Sequence, residues 1–363
     1  MFRLNFFSSA PKAALKDPQS FMLPLAEPVT VTRTEDGFWH VQWQETAART
    51  IIYVGNDPDA PERMSPIVSV GGATEAMIGS LNTAVRHYFR LEFKGGAWDG
   101  RSFLAAERVL PLEKGVNVRD VGGFYTSDGQ MVRWGQLYRS GSLARLTPAD
   151  LAYLQRLGVR LVFDLRSVEE RTKQPDRLPQ VEGLVERPLP MDSVDRWERL
   201  RGAYAIFFRK GRLDDFLLDG YRRVMIDGKA HVIGEIFQRL ADPAQRPALL
   251  HCTAGKDRTG IVVAMLLLTL GVPEDTVVAD YTLSNLFYEH FRKGIMADLK
   301  QVAPWGMSAD DLQDLLLVKA QTLQGALAYL RQKYGSLDAY LCHQAGVSDE
   351  TMAQLRRNWL VKV

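Results

Sequence analysis

The residues best suited to chemistry run from His251 to Gly260: His251-Cys252-Thr253-Ala254-Gly255-Lys256-Asp257-Arg258-Thr259-Gly260. They lie between a short apolar strand pattern from Ala248 to His251 and an apolar helix pattern from Ile261 to Leu270. A loop that enters a helix N-terminus turns several backbone N–H groups toward one anion, and the helix dipole adds partial positive charge there. In such a loop Thr253, Ala254, Gly255, Lys256 and Asp257 surround a phosphate, and the sulfur of Cys252 faces the phosphorus. Arg258, six residues after the sulfur, returns over the loop to hold two phosphate oxygens through its planar fork. The same positive field favours thiolate over thiol and makes Cys252 a competent nucleophile. Thr259 is placed to donate a hydrogen bond to that sulfur as it leaves, and Gly255 and Gly260 permit the tight curvature and close approach the loop needs. A nucleotide P-loop does not fit, because Lys256 is followed by Asp257 rather than Ser or Thr and no correctly spaced upstream glycine exists.

The elements that must position this loop can be read from the flanking pattern. Beyond Pro111 apolar strands alternate with helices, which predicts an α/β fold. Thr147-Pro148-Ala149-Asp150 carries N-terminal helix signals and Gly158 closes that helix, after which Val159 to Phe163 reads as a buried strand ending at Asp164. Val232, Ile233, Ile236, Phe237 and Leu240 fall at helical spacing before the strand that delivers Cys252. Asp164 then lies at the carboxyl edge of the same sheet as Cys252, where open α/β folds place ligands, and is a candidate general acid. The competing reading pairs it with Arg166 or Arg119 as a brace. From Asp310 to Val363 the pattern predicts helices, with Gly335 and Gly346 as terminators. Met191 to Asp219 and Leu286 to Trp305 mix aromatics with Arg and Lys and read equally well as lids over the cleft or as ordinary surface helices.

Upstream, residues 28–110 show short alternating runs separated by turn formers such as Glu35-Asp36-Gly37, which predicts a small all-β sandwich preceding the α/β part. Trp39, Trp43 and the segment from Leu81 to Tyr88 resemble a fibronectin type III module. The expected division is a lead-in over 1–27, the sandwich over 28–110 and a catalytic domain over 111–363. With 45 Lys and Arg against 43 Asp and Glu, the net charge of +2 gives no global drive toward nucleic acid or anionic membrane. Two cysteines, Cys252 and Cys342, make no disulfide framework and stand in no Cys/His cluster, and Cys342 reads as a helix-packing thiol. The longest apolar stretch is far short of the roughly 20 residues needed to cross a bilayer, and the N-terminus lacks the apolar core of a secretory signal. Cytoplasm is the expected compartment, with signal-independent export left open.

HCTAGKDRTG matches the Cys-x5-Arg signature of the cysteine phosphatase superfamily, and its GKDRTG form resembles the bacterial protein tyrosine phosphatase family. Asn117-Val118-Arg119-Asp120-Val121-Gly122-Gly123 with Leu137-Tyr138-Arg139-Ser140 is similar to that family's N-terminal signature. Asp164-Leu165-Arg166 with Glu169, and Asp280-Tyr281 with Ser284-Asn285, extend the resemblance over residues 112–363. The resemblance implies a cysteine-phosphatase-type sheet flanked by helices, a structural role for His251 beside the loop backbone, and Asp257 as a rival to Asp164 for the acid. It also implies that Lys256 contacts a second phosphate or an inositol ring; the alternative is a solvated loop charge. Arg119, Asp120 and Arg139 are expected to be scaffold charges.

The function expected is protein tyrosine phosphatase activity through a phosphocysteine intermediate, with a phosphoprotein as substrate and no cofactor or metal required. Phosphoinositide or mixed-specificity hydrolysis is the alternative within enzymes. A phosphate-binding adaptor whose β domain docks a protein partner is the alternative of another class, and a metal-dependent hydrolase is weakened by the lack of clustered ligands.

Overall fold

The computed structural model describes residues 17–191, 213–293 and 313–362. Seven N-terminal strands come first: β1 (Val29–Arg33), β2 (Trp39–Trp43), β3 (Arg49–Gly55), β4 (Ser65–Val70), β5 (Glu75–Ile78), β6 (Tyr88–Lys94) and β7 (Ser102–Ala106). They form two antiparallel sheets, ordered β1-β2-β5 and β4-β3-β6-β7. The two-residue alternation expected of half-buried strands is plain in β2, where Trp39, Val41 and Trp43 turn inward while His40 and Gln42 do not. Side chains from both sheets, among them Trp39, Val41, Ile52, Leu91 and Phe93, meet in one apolar cluster.

A third, five-stranded sheet is built from β8 (Arg119–Asp120), β10 (Leu137–Ser140), β11 (Leu161–Asp164), β12 (Val185–Pro188) and β13 (Ala248–His251), in the order β12-β11-β13-β10-β8. Strands β12, β11, β13 and β10 are parallel and β8 runs antiparallel to β10. The three central strands are buried at every residue, as a parallel sheet covered on both faces requires. Their register aligns Ser140, Asp164 and His251, so the three chains leave the sheet together at its carboxyl edge.

Helices cover this sheet. Helix α1 (Pro148–Arg156) starts with a capping box between Thr147 and Asp150, and Gly158 beyond it takes a φ of +70°. Helix α2 (Val168–Lys173) has a second capping box between Ser167 and Glu170. Helix α3 (Leu213–Asp219) runs into a π-helical segment (Gly220–Asp227), and α4 (Ala230–Ala241) buries Val232, Ile233, Ile236, Phe237 and Leu240 as their spacing predicts. Helix α5 (Asp257–Thr269) follows the loop and is apolar all round. Its Ile261, Val263, Leu266 and Leu267 are wholly buried, and each such side chain contributes about 1.5–3 kcal/mol. Helices α6 (Glu274–Thr282), α7 (Ala320–Tyr334), α8 (Leu337–His343) and α9 (Asp349–Trp359) complete the layer, with Gly335 and Gly346 at positive φ as expected of terminators.

Two expectations change. The chain does not stay helical to its end: Leu360–Lys362 forms β14, which pairs with β9 (Gln130–Val132) and ties the C-terminus to the sheet side of the fold. The described part of the lead-in touches the rest of the chain without being buried: Phe21 joins an apolar cluster with Tyr288 and Leu316, and the amide of Leu23 donates to Thr282 Oγ1 at 3.0 Å. The segments read as lids lie largely outside the described residues, and their described parts are helical. Among the described residues no helix is long and apolar enough to cross a membrane.

The N-terminal strands are joined to the part of the chain that carries the five-stranded sheet by a mixed apolar cluster that includes Met64, Tyr88, Ala106, Met131 and Trp134. At its centre the buried Arg86 approaches Asp120 Oδ2 at 2.7 Å and stacks against Tyr88, Trp134 and Tyr138. The scaffold role expected of Asp120 is therefore at this joint: its other contacts are with the amides of Gly122 and Gly135, not with the loop.

Candidate active site

The strand β13 ends at His251, the loop follows, and α5 begins at Asp257 with Lys256 as its first flanking residue. Gly255 has a φ of +68°, and a Cβ there would stand 2.4 Å from the carbonyl oxygen of Ser140, so no other residue fits without moving the neighbouring strand. Gly260 is required for a different reason: its missing Cβ leaves room for the ring of Tyr281, which would otherwise be 2.8 Å away. The sulfur of Cys252 lies beneath the loop, 2% exposed, and accepts a hydrogen bond from the amide of Gly255 at 3.2 Å. Thr259 does not make the contact expected of it; its hydroxyl is buried and has no hydrogen-bond partner. The first turn of α5 directs it into the packed interior rather than back over the loop.

Arg258 is held by a residue that sequence reasoning passed over. Its Nη1 donates to Glu170 Oε2 at 2.7 Å and its Nη2 to Glu170 Oε1 at 2.8 Å, with a further contact from Nη2 to Thr253 Oγ1 at 3.1 Å. Burial alone would lower the arginine's pKa, but hydrogen bonding to Glu170 and the neighbouring Cys252 sulfur raise it, so the charge is secure. Burial likewise pushes the Glu170 carboxyl up, and the Arg258 pair overrides this and brings it down to about 2. The resemblance had singled out Glu169, which instead pairs with Lys173 on the exposed face of α2. The signal for Glu170 was present: Ser167 and an acid three residues later form a capping box, which fixes that acid at the helix start.

A set of buried charges braces the loop from below. Asn117 Nδ2 donates to the carbonyls of Ala254 and Gly255, and Arg139 Nη2 donates to Gly255 at 2.8 Å. Arg119 and Arg139 share Asp280, at 3.0 and 2.7 Å. Burial and the adjacent Arg139 lower the Arg119 pKa to about 9, against the pull of Asp280. The scaffold roles expected of Arg119 and Arg139 are therefore visible as contacts, and Asp280 is the anion on which both depend.

The two candidate acids separate. Asp164 is wholly buried, and Arg166 takes both its oxygens, Nε on Oδ1 at 3.0 Å and Nη2 on Oδ2 at 2.8 Å. Arg166 also reaches Asp176 at 2.7 Å, and Asp176 lies 3.1 Å from His251 Nε2. Asp164 is thus enclosed by Arg166, and His251 sits in the same network behind the loop. Asp257 is partly exposed and lines the cleft above the loop, where its Oδ1 accepts a hydrogen bond from Tyr221 at 2.9 Å. Tyr221 is in turn bonded to Tyr281 at 2.7 Å, and burial holds both phenols well above their usual pKa.

That cleft has a volume of about 340 Å³. Thr253, Ala254, Lys256 and Asp257 form its floor, apolar wall comes from Phe291 and Leu316, and Lys114 and Arg145 are at its rim. Lys256 is not a solvated loop charge: it is 9% exposed, with Nζ 3.3 Å from the carbonyl of Leu316 and 3.5 Å from Asp257 Oδ2. The other free cysteine, Cys342, is half-buried on α8 and far from this chemistry in sequence and contacts.

Residues 110–361 match the model of the family described as "Tyrosine phosphatase family". The chain is 34% identical over 278 residues to the triple specificity protein phosphatase PtpB of Mycobacterium tuberculosis, covering 68% of this chain and 98% of that protein. It is 30% identical over 224 residues to a tyrosine-protein phosphatase of Nostoc commune, covering 60% and 72% respectively. A solved structure, P. aeruginosa TpbA, matches with a TM-score of 0.27 at 18% identity over 60% of this chain and 91% of that one, too slight a likeness to bear on the fold.

Proposed function

The chain belongs to the tyrosine phosphatase family, and from that premise we propose that Cys252, Arg258 and Asp257 carry out the hydrolysis of phosphotyrosine. The Cys252 sulfur attacks phosphorus and the bond to the phenolic oxygen breaks, while Asp257 gives its proton to that oxygen. The phosphocysteine is then cleaved by water, whose proton Asp257 takes back as the sulfur departs. Amides of residues 253–258 and the Arg258 guanidinium stabilise the equatorial oxygens. Both terminal nitrogens of Arg258 contact Glu170, and only Nη2 contacts Thr253, so a phosphate gripped by Nε and Nη2 replaces the Thr253 contact and keeps the Glu170 anchor.

The observation that carries the assignment of the acid is the contrast in exposure: Asp257 lines the cleft, whereas Asp164 is sealed behind Arg166. The experiment is a leaving-group series on Asp257→Asn. Losing the acid must cost more on phosphotyrosine than on an aryl phosphate whose phenolate leaves unaided. An equal loss on both substrates, or the same pattern in Asp164→Asn, overturns the assignment.

A second reading concerns breadth of substrate. Lys256 at the cleft floor and Lys114 and Arg145 at its rim supply cations for a second phosphate, and His290 beside them has its pKa lowered by burial and by Arg145, Lys293 and Lys114. This favours mixed specificity that extends to phosphoinositides. Rates on a phosphotyrosine peptide and on a bisphosphorylated inositol lipid decide it, and a peptide-only enzyme removes the reading.

The same proposal divides the chain into a fibronectin type III-like sandwich over 28–110 and a catalytic domain over 111–363, supported by the shared core of the two N-terminal sheets. It takes the two unpaired cysteines as fitting a reducing, cytoplasmic setting, and the sandwich as the part that meets a protein partner.

A further inference from the structure

A second cleft lies at the opposite edge of the catalytic sheet. It has a volume of about 630 Å³ and is lined both by the N-terminal strands' loops, including Asn56 to Asp59 and Val85 to Arg86, and by residues at the amino ends of β10, β11 and β13. Arg160 immediately precedes β11, and Arg246 and Pro247 precede β13. From Pro247 to Cys252 the chain advances five residues at about 3.3 Å each, roughly 16 Å, so this cleft is separate from the phosphate loop.

Three arginines on its wall, Arg156, Arg160 and Arg246, have no carboxylate ion pair among the described residues. Arg156 makes one hydrogen bond, from Nε to the carbonyl of Ala84 at 2.7 Å. Arg246 donates only to neutral acceptors, Gln136 Oε1 at 3.0 Å and the carbonyl of Asn358 at 3.3 Å, and its Nε is buried without a partner. Arg160 makes no side-chain hydrogen bond or ion pair among the described residues. Arg246 is 7% exposed, and the carboxylates that favour its charge, Asp59 and Asp242, do so from a distance, without a hydrogen bond or ion pair to it among the described residues. Asp59 instead holds Arg133 at 2.8 Å, and Asp57 accepts the amide of Asp59 at 3.0 Å. Arg86, deeper in the cleft, is matched by Asp120.

Guanidiniums that line one cleft repel one another, and an anion placed between them reverses the sign of that interaction. Their planar forks suit the oxygens of phosphate groups better than any neutral ligand. We propose that this cleft is a second anion site, distinct from the phosphate loop, which binds a small phosphate-class polyanion across Arg156, Arg160 and Arg246. Because its walls come from both the N-terminal strands and the catalytic sheet, an occupant also clamps the joint between them.

The test is calorimetric titration of the full chain with inorganic pyrophosphate while orthovanadate saturates the phosphate loop. One equivalent of pyrophosphate is expected to bind, with an affinity that falls as salt rises. Arg160→Ala, an exposed substitution, and Arg246→Gln are each expected to weaken that binding at least tenfold without altering vanadate affinity. Without pyrophosphate, Arg160→Ala should turn over substrate within twofold of the unaltered chain. Bound pyrophosphate should raise the melting temperature of the unaltered chain and not that of Arg160→Ala. Absence of binding to the vanadate-saturated chain overturns the proposal, and so does binding that survives both substitutions unchanged.

Discussion

The two edges of the catalytic sheet differ in how they partner arginine. At the carboxyl edge every buried guanidinium named above meets a carboxylate: Arg258 has Glu170, Arg166 has Asp164 and Asp176, and Arg119 and Arg139 share Asp280. At the amino edge Arg86 is matched by Asp120, but Arg156, Arg160 and Arg246 have no carboxylate ion pair among the described residues. Of the two, the carboxyl edge is the preorganised one. A loop that must stabilise a transition state cannot let its arginine wander, and the carboxylates fix it before substrate arrives. Arginines held by neutral partners or by none keep their charge available for a ligand and are fixed less firmly.

The largest effect that tests this contrast is loss of the nucleophile. Cys252→Ser should lower turnover of an aryl phosphate by about 10⁴-fold or more while the unfolding midpoint hardly moves, and residual turnover above that level would remove the sulfur from the mechanism. Next comes the acid: Asp257→Asn should reduce kcat on phosphotyrosine by about 10²–10⁴-fold and abolish the alkaline limb of the pH–rate profile. Asp164→Asn should do the reverse, keeping that limb while costing about 3–5 kcal/mol of stability in denaturant titrations, because Arg166 loses a buried partner.

Glu170→Gln sharpens the comparison further, since it makes the carboxyl edge resemble the amino edge. A fork left to drift by an ångström should cost about 10²-fold in kcat/KM, with wild-type fold retained by circular dichroism. Its pH signature has a definite sign. The Glu170 carboxyl is depressed to about 2 in the folded chain, so its stabilising contribution is present in full above its unfolded value near 4.5. That contribution fades as pH falls from there toward 2. The difference in unfolding free energy between the unaltered chain and Glu170→Gln should shrink over that window, and a constant difference would mean that the ion pair does not stabilise the fold. The smallest effect is expected at the amino edge, where Arg160→Ala should change stability by no more than about 0.5 kcal/mol, as measured by urea midpoint.

Much of this was legible from local pattern. The strand from Ala248 to His251, the helix after Asp257, the capping box at Thr147 and the terminating glycines at 335 and 346 all depend on neighbours within a few positions, and the structure has them where spacing placed them. What was not legible are the long-range partners. Asp280 reaches Arg119 across 161 positions, Tyr221 reaches Asp257 across 36, and Asp176 meets His251 without any shared motif. For Asp164 local pattern left two readings open, acid or brace, because the choice depends on how fully Arg166 covers it.

The sequence by itself determined the strand–loop–helix that carries Cys252 and Arg258, because six residues of spacing and a glycine at an obligatory positive φ leave the backbone few alternatives. Only the tertiary structure decided which aspartate faces the cleft, which glutamate anchors Arg258, and which arginines go without a partner. The reason is that exposure and charge pairing depend on what the rest of the chain brings within a few ångströms, and in water-excluded surroundings that neighbour, not the residue type, sets whether a charge braces or reacts.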